Sequence, residues 1–293
     1  MEKRKKMTCA ALCLAAFWLA VPPARGAEFK IATWNLNWFT LRPPHDPALP
    51  ADVAPRVPAD FVALRGYAEK LAADVVAFEE VDGPAAAAKL FDPARYTIIT
   101  IHQDVVQQVG LAVRRPIVVR QNEDLVALDV EPPGALHHLR HGLDATLIFP
   151  GGATLRLLAV HLKTGCHTDH LRHSPRHECA LFARQLPLLA GWLRARAAEG
   201  APFALLGDFN RVLDDREEFT EAVDAAAPMT RVTAGSSDPC WGGGSFIDHI
   251  FLGGPARAWL VPGSLRVLTY RSTDERDKER LSDHCPVSVK LVP

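Results

Sequence analysis

Residues 204–210 read Ala-Leu-Leu-Gly-Asp-Phe-Asn. The three apolar residues suit a short buried strand, Gly207-Asp208 ends it, and a polar loop begins at Asn210. The same arrangement recurs along the chain. Apolar runs lead straight into acids, amides or histidines at Trp34-Asn35, Phe78-Glu79-Glu80, Val160-His161-Leu162-Lys163, Ile247-Asp248-His249 and Ser282-Asp283-His284. Loops at strand ends are where open α/β sheets carry their chemistry. Any one of these segments also fits an Asx turn or a satisfied surface histidine. Together they are uniform: oxygen donors and imidazoles, with little thiol. Hard oxygen donors suit Mg2+, Mn2+ or Ca2+. Asp–His pairs suit proton transfer or the stabilisation of developing charge.

Outward from these points the chain alternates strands and helices. Phe29–Asn35 is β-rich, and the proline-rich residues 41–59 read as a surface loop. Asp60 is a candidate cap for a helix whose apolar positions are Phe61, Leu64, Ala68 and Leu71. Asp74–Phe78, Tyr96–Ile101, Leu111–Val119 and Leu125–Val130 read as strands. Leu143–Phe149 and Thr154–Leu162 form a hairpin around Pro150-Gly151-Gly152. His177–Glu199 is helical in composition, with a kink expected at Pro187. Ile247–Leu252, Ser264–Tyr270 and Pro286–Val292 complete the strands. No linker or short repeat divides the chain, so one α/β domain with mixed sheets is expected over residues 27–293.

Residues 1–26 read differently. A basic segment, Glu2-Lys3-Arg4-Lys5-Lys6, precedes 15 uncharged residues, Met7–Val21, and Ala24-Arg25-Gly26 offers a cleavage site. This order matches a secretory signal peptide, and the run is short for a membrane span. An uncleaved anchor is the alternative. The whole chain has a formal net charge of −1. Without the leader it has 28 basic and 33 acidic residues, a net −5 that argues mildly against strong non-specific binding to nucleic acid. A secreted or periplasmic protein is expected, with no membrane contact after cleavage. Four cysteines remain, Cys166, Cys179, Cys240 and Cys285. Their even number in an oxidising compartment suggests two disulfides. Three pairings are possible, and Cys166–Cys179, bracketing one polar loop, is favoured, leaving Cys240–Cys285. A metal site with His167, His170, His173 and His177 is the alternative, although the spacing fits no standard zinc pattern.

The six segments carry a resemblance. Trp34-Asn35-Leu36-Asn37, Phe78-Glu79-Glu80-Val81, His161-Leu162-Lys163, Gly207-Asp208-Phe209-Asn210, Ile247-Asp248-His249 and Ser282-Asp283-His284-Cys285-Pro286 follow the order of the endonuclease/exonuclease/phosphatase superfamily. That superfamily includes pancreatic-type deoxyribonuclease, abasic-site endonuclease, bacterial sphingomyelinase and inositol-polyphosphate phosphatase. The resemblance extends from Phe29 to Val292. It implies a deoxyribonuclease I-like fold: a four-layered α/β/β/α sandwich with two packed mixed β-sheets and the site at one edge.

The resemblance also implies roles. Glu80 matches the family's metal-binding glutamate, and Glu79, which stands where glutamine is usual, is expected to face the opposite way. Asn35 supports the metal or the phosphate, and Asp283 is a further acid at the metal. Asp208 orients or deprotonates the attacking water, and Asn210 bonds the phosphate or that water. Asp248 orients His284. His284 and His161 stabilise charge on phosphorus or protonate the leaving oxygen. Arg140 and Lys163 are candidate substrate contacts, with solvated loop charges as the alternative. His249 stands where abasic-site enzymes have an aromatic residue. The loop 164–177, with four histidines, Arg172 and Arg176, is either an anion contact or a solvated, disulfide-pinned loop. The expected activity is that of a divalent-metal-dependent phosphoesterase using Mg2+, or Mn2+ or Ca2+. The reading favoured is a secreted or periplasmic nuclease cleaving DNA or RNA phosphodiesters by metal-assisted attack of water. The alternative is a phosphoesterase acting on a small molecule or lipid headgroup. A binding module without catalysis is disfavoured, because every expected ligand type is present. No stable protein partner is evident, and a monomer is expected.

Overall fold

The computed structural model describes residues 26–214 and 217–293. Apart from Gly26, the expected leader lies outside the described residues. Among these, no helix is long and apolar enough to cross a membrane.

The chain opens with β1 (Phe29–Phe39), the loop to Val57, α1 (Pro58–Leu71), β2 (Val75–Val81) and a short α2 (Gly83–Ala87). There follow β3 (Tyr96–Thr100), β4 (Gln108–Arg114), β5 (Val118–Gln121), β6 (Leu143–Ile148) and β7 (Thr154–His161). After the long α3 (His177–Glu199) come β8 (Phe203–Asp208), α4 (Glu218–Ala226), β9 (Met229–Arg231) and β10 (Asp248–Gly253). Last are β11 (Arg266–Val267), α5 (Arg276–Arg280) and β12 (Val287–Leu291). Two six-stranded sheets result, in the orders β11-β12-β1-β2-β4-β3 and β5-β6-β7-β8-β10-β9. Each has one parallel pair at its centre, β1 with β2 and β7 with β8. All other pairs are antiparallel.

Side chains alternate faces along a strand, so each sheet buries two apolar faces. Ile31, Val75, Ala77, Leu157, Ala159, Ala204, Leu206, Ile250 and Leu252 meet between the sheets. The opposite parity, Ala32, Trp34, Val76 and Phe78, packs against Leu64, Ala68 and Leu71 of α1. In the second sheet Leu158, Val160, Phe203, Leu205 and Phe251 pack against α3 and α4 through Phe182, Leu189, Phe219 and Val223. The four layers α/β/β/α follow directly. The same parity has a consequence at the strand ends. Asn35, His161, Asp208 and Asp248 continue the rows that face between the sheets.

Several local expectations are corrected. Leu111–Val119 is two strands in different sheets, because β4 ends at Arg114 and β5 begins at Val118. Pro116 stands between them and has no N–H to give a ladder. Leu125–Val130 is not a strand: Leu125 makes one bridge to Gly142, and Val126–Leu128 is a 3-10 turn. Ser264–Tyr270 contracts to the two residues of β11. Asp60 is not the cap of α1. The helix starts at Pro58, where a missing N–H costs nothing, and Asp60 accepts from the amide of Val57. As expected, the helical stretch His177–Glu199 forms one element, α3, with Pro187 inside it. The short elements α2, α4, β9 and α5 had no expectation in the sequence.

Candidate functional site

The second sheet sets three polar residues side by side. His161 on β7 is in register with Asp208 on β8, and Asp208 with Asp248 on β10. Gly207 permits this. Its φ is +141°, and a Cβ there would lie 1.9 Å from the carbonyl oxygen of Val160. No other residue fits so close an approach. After Asp208 the chain turns through Asn210 in the left-handed region at φ +51°. The Asn210 amide N–H donates to Asp208 Oδ1 at 2.7 Å, and its Nδ2 donates to Oδ2 at 3.0 Å.

The first sheet arrives with an irregular backbone. The β1–β2 register shifts between Asn35 and Phe39, and Asn37, Trp38 and Glu80 all have positive φ. Glu79 keeps the inter-sheet parity and is fully buried, its Oε1 accepting from the Thr33 hydroxyl at 3.0 Å. The left-handed Glu80 sends its carboxylate elsewhere. Its Oε1 accepts from Asn35 Nδ2 at 3.1 Å, and its Oε2 from the Trp38 amide at 3.1 Å and Gln107 Nε2 at 2.5 Å.

The two sheets meet here. Asn35 Nδ2 also donates to Asp208 Oδ2 at 3.0 Å. His161 Nε2 lies 3.5 Å from Glu80 Oε1 and 3.6 Å from Asp208 Oδ2. His284, from the loop before β12, donates from Nδ1 to Asp248 Oδ2 at 2.7 Å. Its Nε2 then lies 3.9 Å from Asp208 Oδ2. Ser282 braces this loop, donating from its hydroxyl to the Asn35 carbonyl at 2.8 Å and accepting from the His284 amide at 3.0 Å. The Tyr270 hydroxyl donates to the His284 carbonyl at 2.9 Å. Glu80, His161 and Asp208 bring ligand atoms within 4.8 Å of one another, as do Asp208, Asp248 and His284. An oxygen-rich set with imidazole is a fitting donor set for a hard divalent cation.

The electrostatics separate the groups by role. Burial, with Asp248 nearby, pushes Asp208 up to about 7, against the opposing charge of His284 and the bonds from Asn210 and Asn35. Burial alone would depress His284, but Asp248, Asp208 and the more distant Asp283 outweigh it and hold its pKa well above the histidine norm. His161 goes the other way, because burial and the positive Arg140 and His284 hold it well below. It is therefore a neutral imidazole, not a second imidazolium. Burial, with Asp248 and Asp208 adding, raises Glu79 well above the carboxylate range, against the Thr33 hydroxyl and the charge of His284.

Not every expected residue joins the cluster. Asp283 is half exposed, and its Oδ1 lies 4.0 Å from His284 Nε2. Arg140 is close: burial lowers its pKa while Glu80 and Asp208 raise it, and its buried Nε has no partner. Lys163 Nζ bonds the neighbouring Thr164 carbonyl at 3.1 Å. His249 has the opposite parity to Asp248. It is buried on the helix side against Phe209 and Phe251, where the Thr233 hydroxyl donates to its Nδ1 and its Nε2 donates to the Arg211 carbonyl. Burial lowers it to about 3. It is a structural residue.

The cysteines form the disulfides Cys166–Cys179 and Cys240–Cys285. Their thiols are thus unavailable to a metal shared with the loop histidines. The loop is held further by the buried Arg211, which donates to the carbonyls of Cys166 and Asp169 at 2.7 and 2.9 Å. Its exposed arginines face acids, Arg172 with Glu218 and Arg176 with Asp169 and Glu178. Gln107 and Tyr270 were given no role from the sequence, and Ser282 was read only as part of its segment, without a role. Each meets its partners in the site only through the fold.

Comparison with known proteins bears on the family and the fold. The Endonuclease/Exonuclease/phosphatase family profile matches residues 32–284. No curated protein sequence matches the chain. Among solved structures, the 3′ phosphatase NExo from Neisseria, bound to product DNA hairpin, is similar at TM-score 0.58 and 18% identity. The match covers 90% of this chain and 99% of that one. TDP2 from D. rerio, complexed with single-strand DNA product, gives TM-score 0.56 and 17% identity over 90% of this chain and 98% of that one. A family protein from Bacteroides thetaiotaomicron gives TM-score 0.56 and 16% identity over 91% and 98%. At these identities the structures speak for the fold.

Proposed function

The chain belongs to the endonuclease/exonuclease/phosphatase family, and from that premise we propose an exported nuclease that hydrolyses phosphodiester bonds in DNA or RNA. At the coarser level it is a metal-dependent phosphoesterase, as its family is. The observation that carries the reading is the meeting of Glu80 and Asn35 from one sheet with Asp208, His161 and the Asp248–His284 pair from the other.

Glu80 and Asn35 would hold the divalent cation, with the half-exposed Asp283, outside the cluster beside His284, as a further acid nearby, and Mg2+ or the similar Mn2+ or Ca2+ suits such donors. When bound, the cation supplies positive charge against the phosphoryl oxygens. The protein's own groups do the rest. Asp208 accepts a proton from, or orients, the attacking water, and a pKa of about 7 suits a base at neutral pH. Asn35 and Asn210 hold its carboxylate still. His284 is protonated, and Asp248 fixes its ring so that Nε2–H points into the site. That N–H stabilises the charge growing on phosphorus or gives a proton to the leaving oxygen. Neutral His161 donates one hydrogen bond from Nε2. Arg140, whose Nε lacks a partner, would meet a phosphate oxygen, and Lys163 would add charge beside it. Direct attack by water inverts phosphorus.

Nucleic acid is favoured as substrate because the Neisseria and D. rerio structures hold product DNA. Export is supported by two disulfides, which persist in oxidising compartments, and by the leader-like residues 1–26. The test is incubation of the protein with plasmid DNA, RNA and bis-p-nitrophenyl phosphate, with Mg2+, Mn2+ or EDTA. EDTA-sensitive cleavage of DNA or RNA is expected. Turnover of the small diester alone would move the reading to a small-molecule phosphoesterase.

A further inference from the structure

The loop between β1 and α1 ends in a residue the chemistry above does not use. Arg56 lies among carbonyls. Its Nε donates to the Arg280 carbonyl at 3.0 Å and its Nη1 to the Trp38 carbonyl at 3.2 Å. Its Nη2 donates to the Leu36 carbonyl at 2.7 Å and the Leu281 carbonyl at 2.8 Å. The guanidinium carbon stands 5.3 Å from the Phe39 ring centre. Four of the five N–H groups of a guanidinium are thus committed to backbone.

These carbonyls belong to two segments that adjoin the site. Leu36 follows Asn35, and the Trp38 amide donates to Glu80 Oε2. Arg280 and Leu281 immediately precede Ser282-Asp283-His284. The first segment is the irregular part of β1, where Asn37 and Trp38 have φ of +45° and +52°. No ladder register holds it, so something else must. The second segment runs from the last residue of α5 into a loop, and Arg280 anchors it to α1, its guanidinium bonding Asp60 at 2.7 and 2.9 Å. Burial lowers Arg56 to about 10, while Tyr270, Asp60, Glu80 and Asp283 oppose this from further away. A planar fork can reach four carbonyls at once, whereas the three donors of a lysine on one nitrogen cannot.

We propose that Arg56 is a positioning residue for the reaction, its guanidinium setting the Asn35–Glu80 side of the site against the loop that carries His284. What the positioned groups do rests on the phosphoesterase reading above. A brace of only structural value would change stability and leave the chemistry alone. A positioning residue changes how the site holds a metal and how fast it turns over, because small displacements of reacting groups are costly.

The experiment uses the full chain and its variants Arg56→Lys and Arg56→Ala, with Arg42→Lys as a control in the same loop. Arg42 bonds the carboxylate of Asp82 and none of the carbonyls that Arg56 holds. Mn2+ affinity is measured by calorimetry, and turnover of bis-p-nitrophenyl phosphate at saturating Mn2+ separately. Arg56→Lys is expected to weaken Mn2+ binding about tenfold and to lower kcat about tenfold, with KM within about twofold. Added guanidinium should restore part of the loss in Arg56→Ala. Arg42→Lys should match the parent in both. If Arg56→Ala does not fold, Arg56→Lys decides alone. Folded Arg56 variants with parental Mn2+ affinity and kcat, whatever their melting temperatures, overturn the proposal. A parent protein that binds Mn2+, loses it in Glu80→Gln and yet cleaves no diester would refute the phosphoesterase reading. The Mn2+ affinities would still decide on Arg56. A parent that binds no Mn2+ counts against both.

Discussion

At the site the first sheet presents Asn35 and Glu80, and the second presents His161, Asp208 and Asp248. The sheets have the same arrangement of strands, a central parallel pair flanked by antiparallel neighbours. They deliver their side chains differently. The second sheet keeps its ladder to the last residue, so His161, Asp208 and Asp248 stand abreast by register alone. The first sheet breaks register before it arrives, and Glu80 reaches the site only because its backbone is left-handed. The regular half holds the groups proposed to handle protons. The irregular half holds the carboxylate suited to a metal, and it depends on outside bonds from Gln107, Ser282 and Arg56.

The largest effect should come from the regular half. Asp208→Asn keeps the shape and removes the base, and kcat is expected to fall by about 10^3-fold. Steady-state turnover at saturating Mn2+ checks this, and a loss under tenfold would remove Asp208 from the proton path. Asp248→Asn should cost less, about 10^2-fold, and should also change the pH profile. Activity needs Asp208 deprotonated, so it rises through the pKa near 7, or lower once a cation opposes the proton. It needs His284 protonated, so it falls as pH passes that raised pKa. Removing the charge of Asp248 lowers the pKa of His284, so the alkaline limb should move to lower pH. An unmoved limb would separate His284 from it.

The smallest effect on turnover is expected on the helix side of the same strand. His249→Ala should leave kcat within about twofold while costing about 2–4 kcal/mol of stability, from a cavity and an unpaired Thr233 hydroxyl. Urea unfolding measures the second quantity. A large loss of kcat in a folded His249 variant would break the division between inter-sheet and helix-side rows.

The difference between the halves also decides what could be read from sequence. The uniformly apolar runs Leu157–Val160 and Ala204–Gly207 are a local signal for buried strands that end in a polar residue, but the facing of His161 and Asp208 is set by the register of the sheet. The six strand-end segments stated the superfamily and the four layers. Alternation also implied that Glu79 and Glu80 face apart, but the left-handed turn that makes Glu80 the one in the site is a tertiary outcome. Leu111–Val119 looks continuous because apolar composition does not record which sheet a strand joins. Arg56 and Gln107 gave no signal at all. Their partners are carbonyls or a carboxylate far along the chain, and an arginine in a proline-rich loop reads as a solvated charge. His249, adjacent to Asp248 and equally polar, became interpretable only once the parity of β10 was seen.

The most direct test of the joint site is hydrolysis of a phosphodiester by purified protein before EDTA, after EDTA, and after Mn2+ is restored. The parent should cleave, stop and resume, and Glu80→Gln should fail to resume at Mn2+ concentrations that restore the parent. Cleavage that survives EDTA, or a Glu80→Gln protein that recovers like its parent, would contradict the account.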